Sequence, residues 1–184
     1  MKNFLLLFYF FILSSNIYAR VLPQDIIWND DESGYYIIKD NSIVLVSTQG
    51  EDDKTILASS SVNNVDFKSF NFSVRKDKLL IFTNTVKVWR YETRGDYWVY
   101  DFNTRKATKI GAKMPESSLM FAKFSPDGRS VAYVSKENSS SDKIRNSSTS
   151  VNIYIEDLKT NSVIYGDSHT IAFSGKDDKV FRTD

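Results

Sequence analysis

A cation set between large rings, Trp89-Arg90-Tyr91, is the feature of this chain that folding explains least. It lies in Val86–Tyr100, VKVWRYETRGDYWVY, a stretch of aromatic and β-branched residues with a Gly-Asp break at Gly95–Asp96. A strand asks for apolar residues at every second position, and an Arg inside a Trp-Arg-Tyr cluster does not serve that pattern. Arg90 offers several fixed donors and does not lose its charge, so its chemistry is recognition and not proton transfer. A second reading keeps Arg90 on the surface, stacked on Trp89 or Tyr91 and paired with Glu92 or Asp96.

No other residues assemble into reactive chemistry. There is no Gly-x-Ser-x-Gly elbow and no Gly-rich phosphate loop. The single histidine, His169, follows Ser168 directly, whereas triad partners meet through the fold and not through adjacency. With no Cys, thiolate metal sites, thiol nucleophiles and disulfides are excluded. The carboxylate pairs Asp30-Asp31, Asp52-Asp53 and Asp177-Asp178 fall between strands, where Asp is a turn residue. No catalytic residue, metal or cofactor is therefore expected in this chain.

The elements that must hold Val86–Tyr100 are short strands. Ile26–Trp28, Tyr35–Lys39, Ile43–Ser47 and Thr55–Ala58 alternate with turns rich in Gly, Asp, Asn and Ser. Four antiparallel strands in about 35 residues make one blade of a β-propeller. The unit then recurs. Phe72-Ser73 before Lys78–Phe82 is echoed by Phe124-Ser125-Pro126-Asp127-Gly128 before Val131–Tyr133, and again by Phe173-Ser174-Gly175 before Val180-Phe181. YWVYDFNT at Tyr97–Thr104 is echoed by IYIEDLKT at Ile153–Thr160. The spacing of about 50 residues suits propeller blades. Asp101 and Asp157 stand just past strands, where a carboxylate can accept turn amides.

The expected fold is all-β: a partial β-propeller over residues 20–184, with blades at about 26–60, 67–112 and 118–166 and the start of a fourth at 169–184. Two insertions interrupt the repeat, Asn84–Gly95 and the Ser/Asn-rich Lys136–Thr149. Asn71, Asn138 and Asn146 open N-x-Ser sequons, a short pattern that chance supplies readily in such a chain. Closed propellers need about 4–8 blades, and an open arc exposes a strand edge. The chain is therefore expected to be a fragment or truncated frame of a longer protein. Association with a second copy is left open.

Composition bounds the partners. The 24 basic and 23 acidic residues leave a formal charge of +1, which offers no electrostatic case for nucleic acid. Lys2, the apolar run Phe4–Leu13 and the small residue Ala19 form a secretory signal over residues 1–19. The other reading is an uncleaved anchor, for which the run is short, since a bilayer span needs about 20 residues. A periplasmic or secreted protein follows, cleaved near Ala19.

These residues together give a resemblance. Val86–Tyr91, Tyr97–Asp101, Phe121–Gly128, Val131–Val134 and Asn152–Ile155 resemble the N-terminal β-propeller of the dipeptidyl peptidase IV family, prolyl oligopeptidase-type serine peptidases. The resemblance covers roughly Ile26–Leu158. It implies a propeller that sits over an α/β-hydrolase domain and narrows access to the catalytic Ser. It also implies that Arg90 contacts the backbone carbonyl of a peptide substrate near its N-terminus. Two departures matter. Val163–Asp184 has no Glu where the family places glutamates that hold the substrate's amino group, and the hydrolase domain is missing. The chain is expected to be the non-catalytic propeller portion of an exported dipeptidyl-peptidase-IV-like enzyme, inactive alone. The other readings are a stand-alone periplasmic peptide- or protein-binding module and a structural β-repeat with no ligand. N-terminal sequencing of the exported product is expected to begin at Arg20. A product that still begins at Met1 would contradict the signal.

Overall fold

The computed structural model describes residues 26–88, 91–136 and 151–166. The described residues form strands joined by turns, with one 3-10 turn at Ser59–Ser61 and no α-helix among them. The first four strands are β1 (Ile27–Trp28), β2 (Gly34–Lys39), β3 (Ser42–Ser47) and β4 (Lys54–Ala58). They pair in chain order as an antiparallel meander. A second meander holds β5 (Phe67–Phe72), β6 (Lys78–Val88), β7 (Tyr91–Asp101) and β8 (Lys106–Ile110). A third holds β9 (Leu119–Phe124), β10 (Ser130–Lys136), β11 (Val151–Asp157) and β12 (Val163–Gly166). The second and third meanders are joined by one residue pair, Gly95 of β7 with Leu119 of β9. The Lys136–Thr149 insertion and the 169–184 repeat lie outside the described residues, apart from Lys136 at the end of β10.

Strand alternation explains how the sheets stack. Successive side chains point to opposite faces of a strand. Along β6, Leu79 and Ile81 enter a core shared with the first sheet, including Tyr36, Ile43, Leu57, Phe67 and Phe70. Leu80, between them, enters a core shared with the third sheet, including Leu119, Val131, Tyr133 and Tyr154. Tyr97 and Val99 of β7 join that second core, while Tyr100 joins the first. The near-continuous apolar run Leu79–Phe82 thus reflects a sheet buried on both faces. The far face of the third sheet is different. Ala132, Val134, Ile153 and Ile155 are half-buried there, and Ile164 is 55% exposed.

The turns repeat in their backbone and in their Ser, while the carboxylate comes from four residues on in one copy and two residues on in the other. Ser73 accepts the Lys76 amide on its carbonyl, and its hydroxyl donates to Asp77 Oδ1 at 2.7 Å. Ser125 likewise accepts the Gly128 amide, and its hydroxyl donates to Asp127 Oδ1 at 2.7 Å. Lys76 (φ 54°) stands where Gly128 (φ 70°) stands in the second copy. Asp101 and Asp157 take the expected amides: Asn103 and Thr104 donate to Asp101 Oδ1, and Lys159 and Thr160 to Asp157 Oδ1. Neighbouring turns are also linked. Arg75 Nη2 donates to the Asp127 carbonyl at 3.0 Å. Lys76 Nζ lies 2.7 Å from Asp30 and over the rings of Tyr36 and Phe72 at 5.6 and 5.7 Å.

These contacts hold the turn carboxyls below the usual carboxylate range. The main causes are the Ser73 hydroxyl at Asp77, the Ser125 hydroxyl at Asp127 and the Thr160 amide at Asp157. A carboxyl that is harder to protonate folded than unfolded stabilises the fold fully above its unfolded value, about 3.9. That contribution is lost as pH falls through the depressed folded value. Tm is therefore expected to drop steadily as pH is lowered from about 5 towards 2. A flat Tm across that window would contradict this reading of the turns.

Candidate functional site

The segment that carries Arg90 is an arm made of strand. Asn84–Gly95 is an insertion relative to the repeat, but pairing continues through it. β6 and β7 are each 11 residues long, and Val86–Arg94, Lys87–Glu92 and Val88–Tyr91 pair across them. Trp89 and Arg90 join Val88 to Tyr91 and lie outside the described residues. Glu92, named as a partner in the surface reading of Arg90, is described only through its backbone pairing with Lys87.

The arm begins at a bulge. Between Thr83–Asp96 and Val86–Arg94, β6 carries one residue more than β7; between Val86–Arg94 and Lys87–Glu92, β7 carries one more. The two offsets cancel, so the arm leaves the sheet re-aimed but paired. Asn84 takes φ 46° at the first offset, a left-handed conformation that Asn tolerates better than most residues.

Asp96 gathers the root of the arm. It is 5% exposed. Its Oδ2 accepts from Asn84 Nδ2 at 2.9 Å and lies 3.2 Å from Lys109 Nζ on β8. Its Oδ1 accepts the Ser117 amide at 3.0 Å, and the Ser117 hydroxyl donates to the Asn84 carbonyl at 2.6 Å. Ser117 also takes a left-handed φ, 53°. A buried carboxylate is costly unless paired and hydrogen-bonded, and here two hydrogen-bond donors and a cation meet it. The sequence signal at Gly95–Asp96 was a break. In the structure both residues lie inside β7, and Asp96 is engaged by Asn84, Ser117 and Lys109.

Gly95 is required by close approach. A Cβ there would stand 2.4 Å from Phe82 Cε2 and 2.6 Å from the Thr83 carbonyl oxygen. Phe82 in turn stacks on Tyr97 at 4.6 Å between ring centroids. Burial raises the Tyr97 phenol pKa, partly offset by hydrogen bonds from the backbone of Ala122 and Phe121. Phe121 sits beside this contact, 65% exposed, with a left-handed φ of 55° in a β9 bulge. Sequence reasoning singled out neither Asp96 as an anchor nor Phe121 as a presented ring.

The connection from β8 to β9 is held at both ends by buried carboxylates. Glu156 Oε2 accepts the Gly111 amide at 2.8 Å, and Asp96 takes the Ser117 amide. Burial, with Glu156 as the next cause, pushes the Tyr133 hydroxyl pKa upward, so Tyr133 remains a neutral donor beside Glu156. A cleft of about 700 Å³ opens between the second and third sheets at the end away from the arm. Lys78, Asp101, Lys106, Arg129, Asp157 and Lys159 line it, and both of its Asp side chains are already engaged by their own turn amides. Among the described residues no cluster of His, Cys, Asp or Glu could hold a metal. No described helix is long and apolar enough to cross a membrane. His169 and Ser168 lie outside the described residues.

Comparison with known proteins decides the family. The family model for the dipeptidyl peptidase IV (DPP IV) N-terminal region matches residues 73–178, more than half of the chain. This chain belongs to that family. The match begins just after β5 and takes in β6 to β12, including the whole length of the arm. Dipeptidyl aminopeptidase B of Saccharomyces cerevisiae is 27% identical over 161 residues, 83% of this chain and 17% of the relative. Dipeptidyl peptidase 4 of Sus scrofa is 27% identical over 117 residues, 62% of this chain and 15% of the relative. The crystal structure of Porphyromonas gingivalis dipeptidyl peptidase 4 superposes with a TM-score of 0.58 at 19% identity, covering 76% of this chain and 18% of that one. That likeness supports a propeller-type fold. The chain spans less than a fifth of the length of these DPP IV-type relatives.

The Gly95 contact gives a direct test of the arm's root. Gly95→Ala is expected to destabilise the fold by about 1–3 kcal/mol, the usual cost of overpacking a filled site. Urea denaturation would show this as a lower midpoint at unchanged slope. A midpoint equal to that of the parent protein would mean that Phe82 and Thr83 do not crowd Gly95.

Proposed function

We propose that this chain is the N-terminal propeller portion of an exported dipeptidyl-peptidase-like serine peptidase, in which it gates and orients peptide substrates without performing the cleavage. Each four-stranded meander is a blade, about 26–60, 67–112 and 118–166, and residues 169–184 begin the next. Residues 1–19 direct export. Arg90, between the paired ends of the arm, donates to a backbone carbonyl near the substrate's N-terminus. The catalytic Ser and its partners belong to a hydrolase domain outside this chain.

The observation that most supports this reading is the arm itself: strand pairing carried past the sheet to Val88–Tyr91, within the segment matched by the family model. A two-stranded ribbon with a buried anchor at its root can hold a guanidinium at a reproducible distance from the sheet. A guanidinium held there meets a carbonyl with donors that need no proton adjustment. Preorganised contacts of this kind lower the cost of orienting a flexible peptide.

The chain alone is expected to leave dipeptidyl chromogenic substrates intact. In a full-length dipeptidyl peptidase carrying residues 67–124 of this chain in place of its own matching segment, activity is expected with Arg90 present. Arg90→Ala in that protein is expected to lower kcat/KM roughly ten- to a hundred-fold, the worth of a charge-assisted hydrogen bond. An unchanged kcat/KM, or a chimera that is folded and inactive with Arg90 in place, would remove the substrate-contact reading.

A further inference from the structure

We propose that Asp96 is a positioning residue: by drawing Asn84, Ser117 and Lys109 to one buried point, it locks the direction in which the β6–β7 arm leaves the sheet. This rests on the proposed role of Arg90 for its functional consequence, although the lock itself is a statement about the arm alone.

Sheet pairing cannot set this direction by itself. A two-stranded ribbon beyond the edge of a sheet is only marginally stable on its own, and ribbons twist more than full sheets do. At its root the arm has lost its third strand. β8 pairs β7 only from Tyr97 to Asp101, and β9 touches β7 through the single pair Gly95–Leu119. The bulge at Asn84 sits at the same level and would act as a hinge if left free.

Asp96 closes that hinge from three directions. Asn84 is the bulged residue, and its side-chain amide donates to Asp96. Ser117 comes from the β8–β9 connection, donates its amide to Asp96 and its hydroxyl to the Asn84 carbonyl. Lys109 comes from β8 and balances the charge at 3.2 Å. Two non-glycine residues in the left-handed region, Asn84 and Ser117, therefore converge on one carboxylate. Backbone strain of this kind persists where the surroundings over-determine it. Asp96 does not line the cleft between the second and third sheets. Its effect on substrate would pass through Arg90.

The lock is tested first on the chain as it stands, by amide hydrogen exchange. In Asp96→Ala, amides of Val86–Val88 and Glu92–Arg94 are expected to lose at least roughly ten-fold protection, while those of Leu79–Ile81 and Tyr133 keep theirs. Asp96→Asn keeps an oxygen for the Ser117 amide and is expected to fall between parent and Asp96→Ala. If Asp96→Ala does not fold, Asn84→Gly removes one donor while keeping the left-handed backbone, and the same selective loss is expected. Arm amides that keep parental protection, or loss spread evenly over the sheets, would overturn the lock.

The functional half is read in the full-length chimera. Asp96→Ala is expected to lower kcat/KM about ten-fold when Arg90 is present and to change nothing further in an Arg90→Ala background, because the two act on one contact. Additive losses would show that Asp96 acts elsewhere and would overturn the positioning role. An Arg90→Ala protein with parental kinetics would instead overturn the substrate reading, and the exchange result would still decide the lock.

Discussion

Everything distinctive in this structure depends on β6 and β7 remaining paired after the sheet around them has ended. Within the sheet the pair is enclosed on both faces by two apolar cores. Beyond Thr83–Asp96 that support stops, and burial is replaced by a polar anchor. A carboxylate at that point is an uncommon choice, since burying it requires a full set of partners. Its advantage over an apolar contact is direction. Hydrogen bonds from a bulged Asn and a connecting Ser, with the charge of a sheet Lys beside them, fix an orientation that non-directional packing cannot.

The three meanders supply a frame for that arm by a repeated, economical set of devices. Alternation along β6 and β7 commits successive side chains to opposite cores, so the second sheet is clamped between its neighbours. The Ser–Asp turns close each first hairpin, and the Asp turns after β7 and β11 close the last one. Arg75 and Lys76 tie turns of adjacent sheets together, and Glu156 ties the β8–β9 connection to the third sheet. Each device is local in sequence or joins neighbouring repeats. The same contacts can therefore recur around a propeller without a central plan.

This locality explains what could be read from the sequence. The strands of the first unit fall where alternation and turn residues place them, and β2–β4 differ from expectation by a residue or so at their ends. The amide-accepting roles of Asp101 and Asp157 were legible because an Asx-type turn is written in adjacent residues. Gly95–Asp96 was not, because a Gly-Asp pair is a turn signal in isolation. Here the approach of Phe82 and the pairing with Leu119 override it. Asp96's partners come from Asn84, Lys109 and Ser117, three separate segments that meet only once the bulge and the sheet link have formed. Phe121 shows the same limit: a bulky residue in the left-handed region follows from the Tyr97 contact and the β9 bulge, and nothing in its neighbours announces it. Arg90 was legible as an anomaly of composition, and its side chain lies outside the described residues.

The chain belongs to the dipeptidyl peptidase IV N-terminal family, and the arm lies within the matched segment. The most direct measurement of the central claim is the distance from arm to sheet in solution. The chain contains no Cys, so spin labels placed at Lys87→Cys and Asn103→Cys report on those two positions alone. Pulsed electron resonance on this pair should return one narrow distance distribution, as a ribbon locked at its root requires. A broad or multi-peaked distribution would show that the arm swings, and the account built on its fixed direction would fall.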